Sequence, residues 1–236
     1  MRTTINQYLG KNYWINNTDF YKQPYFRLQK CARIVNSLVN GRQCDLLDVG
    51  CGPATLAEFL SPDIQYFGID IAIHTPGPNF IELDIIENEI KFGNMRFDLI
   101  VAAGLFEYMG KFQQEKLFEI NQLLKPGGKF VATYTNFNHV RMPAEHPPYN
   151  NIRPIKTFKL DLEKYFHIER FFPCSHNRVN RELRREWLKK IQMPLCFNIP
   201  IFSPLFAVNY FFICSPKPAL SGGPSDQSEY SELSLI

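Results

Sequence analysis

The stretch Leu46-Leu47-Asp48-Val49-Gly50-Cys51-Gly52-Pro53-Ala54 holds the clearest chemistry in this chain. A strand that ends in two glycines and passes straight into a helix lets backbone approach a ligand closely. The helix start adds unpaired N–H groups and the positive end of a dipole. Such a turn can serve a nicotinamide or flavin dinucleotide, or S-adenosylmethionine. Three details separate them. The dinucleotide pattern G-x-G-x-x-G needs glycine where this chain has Thr55. Asp48, two residues before Gly50, opposes a pyrophosphate but can hold a cationic amino-acid head. Asp70 closes the next apolar run, Phe67-Gly68-Ile69-Asp70, where a carboxylate can accept both ribose hydroxyls. An adenosine carrying a methionine-like ammonium fits all three; a dinucleotide fits only the last.

Placing these residues takes a sheet. The runs Cys44–Val49, Ile64–Ile69, Asn79–Leu83, Phe97–Ala103 and Lys129–Thr135 predict strands, and their continuous hydrophobicity implies burial on both faces, as in a parallel sheet. Apolar residues at three- and four-residue spacing from Leu28 to Val39 predict a helix over Pro24–Gly41. Helices are predicted over Pro53–Leu60, stopped by Ser61-Pro62, and over Lys111–Leu124, closed by Lys125-Pro126-Gly127-Gly128. Between Leu83 and Phe97 there is room only for a weak turn. Alternating strands and helices argue for a doubly wound α/β sheet. Beyond Asn136 a polar, proline-bearing stretch leads to a helix over Ile155–Phe166 and a strand over His167–Cys174. A charged helix (Arg178–Ile191), a proline-rich apolar segment and a last strand (Val208–Cys214) follow. The tail from Ser215 is poor in core formers and is expected to be disordered.

Composition limits the classes of function. The chain has 236 residues, 45% of them hydrophobic, which suits one globular domain, and its formal charge of +3 demands neither nucleic acid nor a membrane. The N-terminal segment lacks an apolar stretch, and the most apolar segment, Met193–Val208, carries three prolines. The six cysteines are scattered without a C-x-x-C pair, which suits reduced, buried thiols and a cytoplasmic location. No spacing of His, Cys or carboxylates suggests a metal. Aromatics are in surplus, with 21 Phe and 11 Tyr.

LLDVGCGPA, FGID, ELD, FDLIVAAGLFEY and LLKPGGKFVATY, in this order and spacing, resemble the class I S-adenosylmethionine-dependent methyltransferase family, small-molecule type. The resemblance covers Cys44 to about Asn136. It implies a Rossmann-like, doubly wound seven-stranded sheet of order 3-2-1-4-5-7-6 with one antiparallel strand and helical cap segments. It also implies S-adenosyl-L-methionine as cofactor. Gly50, Cys51 and Gly52 would line its methionine part and Asp48 would hold its amino group. Asp70 and Ile71 would meet the ribose, and Asp84 and Ile85 the adenine. Ala103, Gly104 and Leu105 would form the floor near the sulfonium. In the family's D-x-G-x-G-x-G pattern the last place is Ala54, a departure that its small size makes mild. Asp48 and Asp70 taken singly also read as helix caps, and Asp84 as a turn-forming aspartate.

The whole reads as one domain over 1–216: a cap and helix (1–40), a cofactor-binding core (44–136), substrate-side insertions (137–206) and a disordered tail (217–236). Tyr13, Trp14, Tyr21, His146 and Tyr149 are expected to face a small-molecule acceptor, and the aromatic surplus hints at an apolar or ring-containing one. Methyl transfer from a sulfonium needs alignment and exclusion of water, and a general base only for a hydroxyl or protonated amine. His139 is the first candidate base, with Glu107 and Tyr108 beside it. His146-Pro147-Pro148-Tyr149 resembles the (D/N)-P-P-Y motif of amino-group methyltransferases. It follows the fifth strand rather than the fourth, and so reads as an insertion loop. The Arg178–Lys190 segment has i,i+4 pairs and reads as a solvated helix, with a phosphate-bearing or acidic acceptor as the sharper alternative. An RNA or protein methyltransferase, and a non-catalytic binder of the same cofactor, are the competing readings; the small net charge disfavours a nucleic-acid partner.

Overall fold

The computed structural model describes residues 11–16, 25–74, 76–135, 154–174 and 209–218. These residues form a seven-stranded sheet of order β3-β2-β1-β4-β5-β7-β6, the order the resemblance implies. β1 (Cys44–Val49), β2 (Ile64–Asp70), β3 (Phe80–Glu82), β4 (Phe97–Ala103) and β5 (Leu124–Thr135) run parallel. β7 (Asn209–Pro216) inserts antiparallel between β5 and β6 (Phe166–Cys174).

Strand alternation sorts the apolar side chains into two cores. Leu46, Leu99, Val101 and Val131 pack against Cys31, Ala32, Val35 and Val39 of α2 (Tyr25–Val39), which follows the short α1 (Lys11–Asn16). Leu47, Val49, Ile100, Ala102 and Phe130 face the other way, onto α3 (Gln113–Leu123) and α4 (Ile155–Tyr165). Each fully buried Leu, Ile, Val or Phe among them contributes roughly 1.5–3 kcal/mol relative to exposure. Much of the aromatic surplus lies in the second core. Phe67, Phe92 and Phe97 meet edge to face at 5.2–5.7 Å, and Tyr134 stacks on Phe158 at 4.1 Å. Those rings report on packing and not on an acceptor.

Three local expectations are corrected. The helix predicted over Pro53–Leu60 is a five-residue 3₁₀ turn, Thr55–Phe59. Asn36 of α2 takes its end: Nδ2 donates to the Phe59 carbonyl at 3.1 Å and Oδ1 accepts from the Ser61 N–H at 3.0 Å. Pro62 also biases Ser61 towards extended backbone, so the helix cannot run on. The glycine turn therefore leads into no long helix dipole. Further on, β5 begins at Leu124, earlier than expected, because Lys125-Pro126-Gly127-Gly128 is carried as an irregularity between the Phe97–Leu124 and Leu99–Lys129 pairings. The disordered tail expected from Ser215 does not begin there, since Ser215 and Pro216 pair with His167 and Phe166 and the Lys217 N–H donates to the Tyr165 carbonyl at 2.8 Å. The polar stretch after Asn136, the charged helix Arg178–Ile191, the proline-rich segment and the chain beyond 218 lie outside the described residues.

Candidate functional site

The carboxyl ends of the parallel strands gather the candidate residues. At the end of β1 the N–H groups of Gly50 and Cys51 both donate to the Ile69 carbonyl, at 2.8 and 3.2 Å, tying the turn to β2. Gly50 has φ 78°, and a Cβ there would lie 2.8 Å from Leu105 Cδ1. Gly52 has φ 51° and nothing within 4 Å of a would-be Cβ, so its face is open to a ligand. Ala54 also has a left-handed φ, 57°. The third glycine of the family pattern thus supplies a backbone angle, and alanine's small size does not replace it; the strain costs about 1–2 kcal/mol.

Asp70 sits at the end of β2 and is already engaged. Its Oδ2 accepts from the Gly52 N–H at 2.8 Å and its Oδ1 from the Ala72 N–H at 3.0 Å. Each oxygen keeps a lone pair, enough for the two hydroxyls of a ribose. Burial raises its pKa, against the pull of those backbone donors. Asp48 is 3% exposed and its Oδ2 accepts from the Tyr66 hydroxyl at 2.7 Å. Oδ1 takes no hydrogen bond from the described residues. Burial pushes its pKa up to about 7, reinforced by the charge of Asp70 and opposed by the Tyr66 hydroxyl and Arg27.

Tyr66 was not foreseen, although a hydroxyl inside the apolar run IQYFGI was the available signal. The Asp48–Gly68 register of β1 and β2 puts Tyr66, two residues away, on the face of Asp48. Gly68 is bare for a reason: a Cβ there would meet Cys51 Sγ at 2.7 Å and the Phe80 ring at 2.7 Å. The thiol of Cys51 is turned onto Gly68, so only the backbone of Cys51 is free to line a ligand. At the end of β3, Asp84 Oδ1 accepts from the Ile86 N–H at 3.0 Å, the bond of a turn-forming aspartate. Ile85 is buried in the core beneath it.

Across the sheet, Gly104 follows β4 with φ 75°, and a Cβ there would lie 2.2 Å from Nη1 of Arg27. Arg27 occupies the first turn of α2, above the end of β4, and no motif around it signals a part in the site. Its Nε is buried without a partner, and its charge is felt by both Asp48 and Glu107. Glu107, 1% exposed, lies in the 3₁₀ turn Phe106–Tyr108. Its Oε1 accepts from both the N–H and the hydroxyl of Thr135 at 2.8 Å, while Oε2 is buried with no partner. Burial raises its pKa. Tyr108, the next residue, meets Trp14 edge to face at 4.9 Å, and Trp14 meets Tyr13 at 5.3 Å. An ion pair from Lys11 to Glu82 anchors α1 at the β3 end.

The structure thus brings Asp48, Gly50, Gly52, Asp70, Gly104, Leu105, Glu107, Tyr108, Tyr13 and Trp14 to one edge of the sheet. Tyr21, His139, His146 and Tyr149 lie outside the described residues. Among the described residues no group of three or more His, Cys, Asp or Glu could hold a metal ion, and no helix is long and apolar enough to cross a membrane. The donor set suits a ligand with an ammonium, a vicinal diol and a carboxylate. Asp48 has the charge for the first, Asp70 the free lone pairs for the second and the guanidinium of Arg27 the charge for the third.

A family model described as "Methyltransferase domain" matches residues 24–171. A malonyl-[acyl-carrier protein] O-methyltransferase from Acetivibrio thermocellus is 26% identical over 160 residues, covering 62% of this chain and 54% of the relative, so the chain spans about half of that protein's length. Among solved structures, a Haloferax volcanii protein in complex with the Trm112 methyltransferase activator superposes with a TM-score of 0.62 at 14% identity, covering 89% of this chain and 97% of that one. The 1,6-didemethyltoxoflavin-N1-methyltransferase of Burkholderia thailandensis, solved with 1,6-didemethyltoxoflavin and S-adenosylhomocysteine, gives 0.56 at 15% identity, covering 87% and 86%. Both likenesses are of fold. With the family model spanning more than half of its length, this chain belongs to the class I S-adenosylmethionine-dependent methyltransferase family.

Proposed function

We propose that the protein binds S-adenosylmethionine at the glycine turn and methylates an oxygen or nitrogen of a small, apolar or ring-containing molecule. When bound, the cofactor supplies a methyl group already activated on a sulfonium. The chain's own residues hold and orient it. Asp48 takes the ammonium beside the open Gly52, Asp70 the ribose hydroxyls, and Arg27 the carboxylate from above Gly104. A backbone-bonded carboxylate such as Asp70 is pre-set for this, so little ordering is needed on binding.

The observation that carries the small-molecule reading is the Tyr13–Trp14–Tyr108 group, three rings packed edge to face beside the end of β4. Such a group presents flat apolar surface to an acceptor next to the methyl and excludes water from the transfer. The ring-containing ligand of the Burkholderia neighbour is of the same kind. Four buried free thiols, Cys31, Cys44, Cys51 and Cys214, suit work in the reducing cytoplasm.

Calorimetry with S-adenosylhomocysteine tests the first half of the proposal: saturable binding is expected, and its absence would sink the methyltransferase reading. A mass-shift screen of small acceptors alongside bulk RNA tests the second half. Transfer to RNA alone would replace the small molecule with the nucleic-acid alternative. His139 is the first base candidate from the sequence: if it takes the acceptor's proton, His139→Ala slows methylation of a hydroxyl about 10²-fold or more, and near-normal turnover removes it.

A further inference from the structure

The described residues contain four buried side-chain polar atoms without a partner: Arg27 Nε, Glu107 Oε2, Gln113 Oε1 and Thr133 Oγ1. Two of them belong together, since the charge of Arg27 is felt by Glu107. Arg27 lies over Gly104, Thr133 pairs with Ala103 in the β4–β5 register, and Gln113 Nε2 donates to the carbonyl of Phe106, the residue before Glu107. An orphaned buried acceptor is costly, and natural chains keep few of them. Arg27 Nε over Gly104 and Glu107 Oε2 just after it, both orphaned beside the expected sulfonium floor, mark a place that a ligand completes.

Glu107 is the member with directional chemistry. Oε1 is saturated by the two Thr135 donors, which lock the carboxyl plane against the end of β5. Only Oε2 is left, and an ionised carboxylate oxygen can only accept. Arg27 is near enough to bias Glu107 but makes no ion pair with it among the described residues. Once Arg27 turns to the cofactor's carboxylate, Glu107 has no cation of its own. A ligand that donates to Oε2 satisfies it; a carboxylate or phosphate meets like charge in a buried setting.

We infer that Glu107 is a catalytic residue whose Oε2 receives the acceptor's N–H or O–H, so that the site takes amines or hydroxyl compounds and turns away carboxylates. This rests on methyl transfer taking place at this edge of the sheet. The acceptor's lone pair forms the bond to the methyl carbon while the carbon–sulfur pair leaves with sulfur. The acceptor's proton passes to Oε2 and is returned to solvent after product leaves. The preference runs opposite to the carboxylate chemistry named for the Acetivibrio relative, a malonyl O-methyltransferase.

The test uses the full chain saturated with S-adenosylhomocysteine and matched ring fragments of one size: benzylamine, benzyl alcohol and benzoate. Benzylamine or benzyl alcohol should raise the melting temperature, and benzoate should not. Glu107→Gln keeps an Oε1 for Thr135 but turns Oε2 into a donor. It should bind S-adenosylhomocysteine within about twofold of wild type, weaken the amine and alcohol by about tenfold or more, and admit benzoate. Should Glu107→Gln fail to fold, Glu107→Asp, which keeps the charge but withdraws it, should weaken the same two fragments. Stabilisation of the wild type by benzoate, an unchanged fragment profile in Glu107→Gln, or no response to any fragment overturns the inference. Loss of S-adenosylhomocysteine binding by the wild type would instead strike the methyltransferase reading beneath it.

Discussion

The two ends of the site are built differently. On the β1–β2–β3 side the three candidate carboxylates are each held by donors no more than 18 residues away. Asp48 is held by Tyr66, Asp70 by Gly52 and Ala72, and Asp84 by Ile86. On the β4–β5 side the partners come from far apart in sequence, Arg27 with Gly104 and Glu107 with Thr135, and orphaned polar atoms remain. The first end is preformed and suits a ligand that never varies. The second is incomplete until something is bound, which suits the half of the reaction where related enzymes differ.

Asp70 gives the largest way to break that contrast. It anchors the glycine turn through Gly52 and, in the proposed function, accepts two ribose hydroxyls, bonds to a charged group that are each worth about 1.5–3 kcal/mol. Asp70→Ala should therefore weaken S-adenosylhomocysteine by on the order of 10²- to 10³-fold in calorimetry. A loss of only a few-fold would mean that the preformed end is scaffold rather than binding surface. Gly104→Ala probes the other end. The new Cβ must adopt φ 75° and displace the guanidinium of Arg27, so cofactor affinity should fall about 30-fold, together with the melting temperature. A variant that melts lower but binds normally would release Arg27 from its place on the cofactor's carboxylate.

The same contrast explains what could be read before the fold was known. The glycine turn, Asp48 and Asp70 lie close together in the chain, and five motifs in order imply the strand order that the sheet shows. Arg27, Tyr66 and Thr135 escaped notice because their roles exist only once α2, β2 and β5 are laid beside distant strand ends. The helix expected from Pro53 failed at its start: the turn holds Ala54 in a left-handed φ of 57°, so helical backbone begins only at Thr55 and runs five residues. The aromatic surplus misled in part, since a ring on a sheet face looks the same in sequence whether it packs Phe158 or meets an acceptor.

A third test reads the charge on Asp48, whose pKa burial lifts from 3.8 to about 7. The ammonium of the ligand needs the carboxylate form, so affinity is lost as pH falls through about 7. Between pH 8 and pH 6 S-adenosylhomocysteine should bind about tenfold more weakly, and Asp48→Asn should flatten that slope. The ligand-free protein should behave oppositely. A folded carboxyl that holds its proton longer than the unfolded one makes stability fall as pH rises from about 4 to 7. Asp70, shifted in the same direction, adds to that trend. Parallel rather than opposed slopes would show that Asp48 stays protonated on binding and does not hold the ammonium.

The smallest effect separates strain from function inside the preformed end. Ala54 holds a left-handed φ of 57° at the place where the family pattern has glycine, and its N–H still donates to the Cys51 carbonyl at 2.9 Å. The conformation is therefore imposed by the turn and not chosen by the residue. Ala54→Gly removes the Cβ penalty of about 1–2 kcal/mol and returns some unfolded-chain entropy, for a net gain of about 0.5–1 kcal/mol in denaturant unfolding. If the turn is as rigid as its bonds to Ile69 and Asp70 imply, S-adenosylhomocysteine affinity should not move, because the bound backbone is already in place. A stabilised variant that binds more weakly would show instead that the alanine stiffens the turn, and that the order of this end is held in part by strain.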